Sequence, residues 1–214
     1  MKKMIRCTML YLLAVMTATT SFAQGKIQKL PLDDQTNWQI FNRSIVTVSK
    51  DSVAFGQGEN EGMWIWKGTT FTPQTIEFDV RGENNMDRSF VGIAFNLQDE
   101  KTYEGIYFRP FNFYNPDTIR RWRAVQYICA PNYPWFKLRE DSPGKYENKV
   151  WQAPNGDDWF HVKITIDHPV IKVYVNKNNT PTLVVNSLSE HKSGRVALWM
   201  GNQARGTFAN LVVK

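Results

Sequence analysis

The side chains able to do chemistry concentrate between Glu77 and Glu147. Acid–base catalysis would need two carboxyl groups, one with a raised pKa and one kept ionised. Glu77, Asp79, Glu104 and Glu147 are the candidates for such a pair, with Glu140 and Asp141 close by in sequence. A second set lies in the stretch from Phe90 to Trp135: Tyr107, Arg109, Arg123, Gln126 and Trp135. Tyr and Trp offer broad, stiff, largely apolar faces, while Arg and Gln present fixed donors and acceptors to neighbouring hydroxyls. That combination suits a saccharide. Arg120, Arg121 and Arg123 form a short basic patch interrupted by Trp122, which fits a local anionic or hydroxyl-rich ligand.

Other chemistries find little support. The glycine-rich run Gly56–Gly62 is followed by neither Gly-Lys-Ser/Thr nor a helical pattern, so it is read as a turn and not a phosphate loop. His161, His168 and His191 lack zinc-site spacing, and no calcium loop of the D-x-[DN]-x-[DN]-G form occurs. Cys129 follows Ile128 in an apolar strand and reads as a small packed hydrophobe. No metal ligand set and no cofactor are expected from the residues themselves.

The elements that must position these groups are strands. In Thr75–Arg81, Ile76, Phe78 and Val80 alternate with Glu77, Asp79 and Arg81. In Trp159–Asp167, Phe160, Val162, Ile164 and Ile166 alternate with His161, Lys163, Thr165 and Asp167. A period of two marks a strand with one buried face. The same rule puts Tyr107 and Arg109 on one face, opposite Ile106 and Phe108, and allows Gln126 on the next strand to lie beside them. Many short strands separated by Gly, Asn and Pro turns, with no amphipathic helix longer than two turns, predict an all-β sandwich or barrel. The long connections 112–121 and 131–159 are where binding groups are expected. Trp159 and Trp199 are read as core residues, and Trp122 and Trp135 as better sugar platforms.

The amino terminus reads as a secretory signal peptide over residues 1–23: Lys2, Lys3 and Arg6, a short apolar run Met9–Met16, then Ser21-Phe22-Ala23 before Gln24. The apolar run is short of the ~20 residues of a membrane span. Cys7 precedes it, so a lipoprotein signal is not expected. Residues 24–214 would then be one exported domain, periplasmic or extracellular. Removing the signal takes away three basic residues and no acids, halving the formal charge of +6. With no Lys/Arg run, nucleic acid is not an expected partner.

Four segments in order carry a resemblance: TIEFDVRG, FVGIAFNLQDEKTYEGIYFRPF, AVQYICAPNYPWFKLRE, and the closing DDWFHVKITID, IKVYVNKNNTPTLVV and GRVALWMGNQARGTFANLVV. Over roughly Trp38 to Lys214 the chain resembles the concanavalin A-like lectin/glucanase superfamily, chiefly its exported bacterial members with laminin-G-like or glycosyl hydrolase labels. The resemblance implies a jelly-roll sandwich of two antiparallel sheets, one curved, whose concave outer face binds saccharide. It also allows a structural calcium ion held by scattered loop oxygens. Laminarinase-type members carry E-x-D-x-x-E on one strand. Here Glu77 and Asp79 match the first two acids, but Gly82 stands at the third position, so the complete signature is absent.

Three functions therefore stay open. The first is a carbohydrate-binding domain whose cleft uses Tyr107, Arg109, Gln126, Trp135 and Arg123. The second is a glycoside hydrolase or lyase that uses Glu77 and one further acid. The third is an envelope protein-interaction domain without a small ligand.

Overall fold

A computed structural model describes residues 27–214; the expected signal peptide lies outside them. The chain forms β1 (Gln28–Lys29), β2 (Trp38–Phe41), β3 (Ile45–Ser49), β4 (Ser52–Phe55), β5 (Gly62–Trp66), β6 (Thr75–Arg81), β7 (Val91–Asp99) and β8 (Thr102–Phe108). There follow a short helix α1 (Thr118–Arg121), β9 (Val125–Ala130), a second helix α2 (Trp135–Asp141) and β10 (Glu147–Asn148). The chain closes with β11 (Phe160–Asp167), β12 (Val170–Val175), β13 (Leu183–Asn186), β14 (Arg195–Met200) and β15 (Gly206–Val213).

These strands make a jelly-roll sandwich of two sheets with every strand pair antiparallel. The first sheet runs β13-β12-β11-β6-β15-β4-β3, with β1 added on β15; the second runs β10-β9-β8-β7-β14-β5-β2. Alternation decides what lies between them. Ile76, Phe78 and Val80 of β6 and Phe160, Val162, Ile164 and Ile166 of β11 point inward, against Ile93 and Phe95 of β7, Ile106 and Phe108 of β8 and Leu198 of β14. Each such side chain, fully buried, contributes about 1.5–3 kcal/mol by leaving water. Trp64 and Trp66 of β5 also face inward, where Trp38 stacks on Trp64 with ring centroids 4.5 Å apart.

The second sheet differs from the first on its outer side. The outer face of β6 and β11 is half-exposed, as the sequence pattern requires, whereas β5, β7, β8 and β14 are buried on both faces. Met63, Ile65, Ala94, Tyr103, Tyr107, Ile128, Ala197 and Trp199 form a separate apolar layer there. A large aromatic layer on the far side of a sheet, away from the core, is the floor of something else.

Candidate functional site

The floor begins with an absent side chain. Gly92 of β7 pairs with Tyr107 of β8 on one side and Trp199 of β14 on the other. A Cβ at position 92 would come within 2.1 Å of the Ile106 carbonyl oxygen and 2.6 Å of the Tyr107 Cα. Without one, the Tyr107 and Trp199 rings meet over β7, with centroids 4.9 Å apart and planes inclined by 29°. The Trp199 indole N–H donates to the Tyr103 hydroxyl at 3.1 Å, and that hydroxyl donates to Glu61 at 2.5 Å. Burial pushes the Tyr107 phenol up to about 12 and raises Tyr103 further, so both stay neutral at ordinary pH.

Arg109 stands just beyond β8 on the face of Tyr107, and its backbone N–H still reaches the Ala124 carbonyl at 2.8 Å. Only 6% exposed, its guanidinium donates to neutral acceptors: the Arg123 carbonyl at 2.8 Å, the Tyr107 hydroxyl at 2.7 Å and Gln126 Oε1 at 3.5 Å. The nearest carboxylate oxygen, on Glu147, is 4.0 Å away. Burial lowers the Arg109 pKa, and the positive charges of Arg139 and Arg123 act in the same direction, against Tyr107 and Glu147.

The wall on this side is α2. Pro134 at its N-cap has φ −69°, suited to opening a helix. Trp135 and Arg139, one turn apart, share a face, and the Arg139 guanidinium lies 4.8 Å from the Trp135 ring centroid. Arg139 clasps Glu147 through two nitrogens, at 3.0 and 2.6 Å, and Arg123 lies 3.7 Å from the same carboxylate. Glu147 in turn sits opposite Gln126 in the β10–β9 pair.

Tyr107, Arg109 and Trp135 thus line one cleft of about 840 Å³, together with Phe41, Asn42, Asn60, Glu61, Asp87, Phe90, Glu100, Arg139, Trp199 and Asn202. Trp135, 43% exposed, offers its ring to solvent. Arg123 lines an adjoining recess of about 400 Å³ that shares Asp87, Arg109 and Arg139 with the cleft. Gln126 lies beneath, 1% exposed; its amide nitrogen donates to the Tyr127 and Tyr146 carbonyls at 2.9 and 3.1 Å. It holds β9, β10 and Arg109 together and presents no free group to a ligand. A larger depression of about 1070 Å³ on the outer face of the first sheet is lined by His161, Lys163, Thr165, Tyr174 and the polar turn Asn176–Asn179. It lacks the buried aromatic floor.

The four carboxylates expected as catalytic candidates occupy three separate places. Glu77 and Asp79 face outward from β6, on the sheet opposite the cleft; Asp79 bonds His161 Nδ1 at 2.8 Å and Asn210 at 2.7 Å. Glu104 lies between the sheets, fully buried, accepting from Tyr127, Ser187 and Asn96 at 2.7 Å each. Glu147 is the counter-ion of three arginines. A retaining pair needs carboxyl groups ~5–5.5 Å apart across the bond; of the four only Glu77 and Asp79 share a place, where His161 lies against both, 3.6 and 2.8 Å away, outside the cleft. Cys129 sits near Glu104; burial and that charge push its thiol up to about 11, which suits packing and not attack.

Two tryptophans also depart from expectation. Trp199 is buried but belongs to the cleft floor, and Trp159, read as core, is half-exposed with Arg81 lying 5.4 Å from its ring centroid. Asn42, Asn60, Glu61 and Asn202 reach the cleft from loops or strand ends that carry no periodic signal. The one available hint for Trp199 was the unbroken apolar run Val196–Met200, which marks a strand buried on both faces. Among the described residues no cluster of three or more His, Cys, Asp or Glu side chains is arranged to hold a metal ion.

No family model matches the sequence, and no curated protein sequence does either. Solved structures do. The carbohydrate-binding module CBM66 of Bacillus subtilis superposes with a TM-score of 0.60 at 13% identity, over 83% of this chain and 96% of that one. A second Bacillus subtilis protein, of galectin-like fold, gives 0.60 at 11% identity over 87% and 94%. The carbohydrate recognition domain of Emp46p in its metal-free form gives 0.54 at 14% identity over 86% and 94%. At such identities the shared property is the fold alone, a jelly-roll sandwich of two antiparallel sheets.

Proposed function

We propose that this protein is an exported carbohydrate-binding domain whose saccharide site is the cleft over Tyr107, Trp199 and Trp135. One observation carries the reading: the second sheet buries an aromatic layer on its outer side and leaves an open cleft above it, ringed by amides, three carboxylates and a desolvated guanidinium. Sugars need flat apolar surfaces for their C–H faces and fixed polar groups for their hydroxyls. Trp135 and the Phe41 and Phe90 rings supply the first; Arg109, Asn42, Asn60, Glu61 and Asn202 supply the second. The two neighbours named for carbohydrate recognition, CBM66 and the Emp46p domain, add support at the level of fold. Among the described residues no loop fills the cleft, which weighs against a purely protein-binding role.

The test is a glycan array followed by calorimetric titration of the best oligosaccharide. Trp135→Ala is expected to cost about 1–2 kcal/mol of binding, roughly tenfold in affinity, without unfolding the domain. No binding of any glycan by the wild type would remove the reading.

Glycoside hydrolysis is the second reading, favoured by one fact: three carboxylates absent from the expected set, Glu61, Asp87 and Glu100, line the same cleft. Release of reducing ends from a bound polysaccharide, abolished by Glu61→Gln, would establish it. Binding without turnover would leave the lectin-like role.

A further inference from the structure

The recess beside the cleft holds more positive charge than the protein's own carboxylates neutralise. Its lining includes Arg109, Arg120, Arg123 and Arg139. Arg120 is matched by Asp87, 3.0 Å away. Asp117 is occupied by the start of α1, accepting from the backbone N–H groups of Ile119 and Arg120. That leaves Glu147 as the single carboxylate for Arg109, Arg123 and Arg139, at 4.0, 3.7 and 2.6 Å. Four guanidinium groups thus face three carboxylates, Asp87, Asp117 and Glu147, and Glu147 is shared three ways with its close contact to Arg139, so positive charge is left over at Arg109 and Arg123, the former almost wholly buried. A desolvated cation bonded only to neutral acceptors is unfavourable unless an anion completes it. A guanidinium fork meets a two-oxygen anion bidentately.

A second observation points into the same recess. Asn112, 2% exposed, lines it, and its Oδ1 has no hydrogen-bond partner among the described residues. That oxygen is an acceptor for a hydroxyl, whereas the arginines are donors for an anion. Glu61 and Glu100 line the main cleft but not the recess, so an acidic ligand is repelled from one end of the site and drawn to the other.

We infer that the site selects saccharides bearing an anionic substituent, with the charged group held by Arg109 and Arg123 in the recess and the sugar ring on the aromatic floor. This rests on the saccharide reading and narrows it. Carboxylate and sulfate share the required chemistry, and the experiment separates them.

The experiment is an array of neutral, uronate-bearing and sulfated oligosaccharides, followed by titration of the best acidic ligand at low and high salt. Uronates are tested beside their methyl esters. Acidic glycans are expected to bind at least tenfold more tightly than neutral counterparts and to weaken with salt. Preference for uronates, lost on esterification, assigns a carboxylate; preference for sulfated chains assigns a sulfate. Arg123→Gln is expected to reduce the acidic-to-neutral affinity ratio about tenfold, with melting temperature as the folding check. Arg205→Gln, at an exposed arginine lining a different depression, serves as the charge control and leaves the ratio unchanged. Neutral glycans binding as tightly as acidic ones, or a ratio indifferent to Arg123→Gln, would overturn the inference while keeping the saccharide site. Absence of all glycan binding would remove both.

Discussion

Tyr107 and Trp199 stack although a whole strand separates them, because the residue of β7 in register with both is Gly92. The cleft floor is therefore made by a backbone position as much as by the two rings. A methyl group there would strike the Ile106 carbonyl and the Tyr107 backbone before it reached either ring.

Gly92→Ala is accordingly expected to destabilise the domain by about 2–4 kcal/mol, more than an ordinary strand Gly→Ala change, since backbone must move. Urea denaturation of wild type and variant measures it. A midpoint unchanged from wild type would mean that β7 and β8 can part freely.

Glu147 is the shared counter-ion of three guanidinium groups and is itself buried. Glu147→Gln removes the charge while keeping the shape, leaving those groups to repel one another. The expected loss is about 3–5 kcal/mol, the range for breaking a buried ion pair from one side. Part of the loss should return at high salt, because Arg123 and Arg139 are partly exposed to screening ions. Thermal melts across a salt series decide this.

Glu104 accepts hydrogen bonds from Tyr127, Ser187 and Asn96 between the sheets. Replacing it with Gln turns one acceptor into a donor that faces donors. Glu104→Gln is therefore expected to cost about 2–3 kcal/mol despite near-identical volume, with saccharide affinity unaffected in the fraction that remains folded. Denaturation together with glycan titration reads both.

Alkaline pH should loosen the structure in a defined window. Burial raises the Tyr107 phenol to about 12 in the folded chain, while in the unfolded chain it titrates at its ordinary value of about 10. Below pH ~10 both states are neutral and the full stability is present. As pH rises from ~10 to ~12 the unfolded state loses its proton first, so stability falls, by about 2–3 kcal/mol from Tyr107 alone. Tyr103 and Tyr127, also raised by burial, add in the same direction. Phenolate absorbance followed alongside unfolding should show these groups titrating only as the domain opens.

Much of this architecture is legible in side-chain alternation. The period of two in Ile76–Val80 and Phe160–Ile166 names the inward residues of β6 and β11 correctly, and the spacing of Tyr107 and Arg109 puts them on one face. Alternation does not say which sheet a strand joins. Glu77 and Asp79 could therefore be read as a solvated strand face or as weak catalytic candidates, and they face away on the opposite side of the sandwich. Nor does it say what a side chain meets across the strand: Gln126 was expected beside Arg109, but its amide engagement depends on Tyr146 and β10, about twenty residues further along. Trp199 resembled a core residue because the outer side of its strand is as well buried as the inner. Asn42, Asn60 and Glu61 come from irregular connections, where position in space follows from the turns and not from periodicity.

The central claim is that the open cleft over Tyr107 and Trp199 takes a sugar ring against Trp135. The most direct measurement is a calorimetric titration of wild type and Trp135→Ala with the best oligosaccharide from the glycan array. A roughly tenfold loss of affinity in the variant, with both proteins melting together, is the predicted result. Equal affinity for wild type and variant would contradict it.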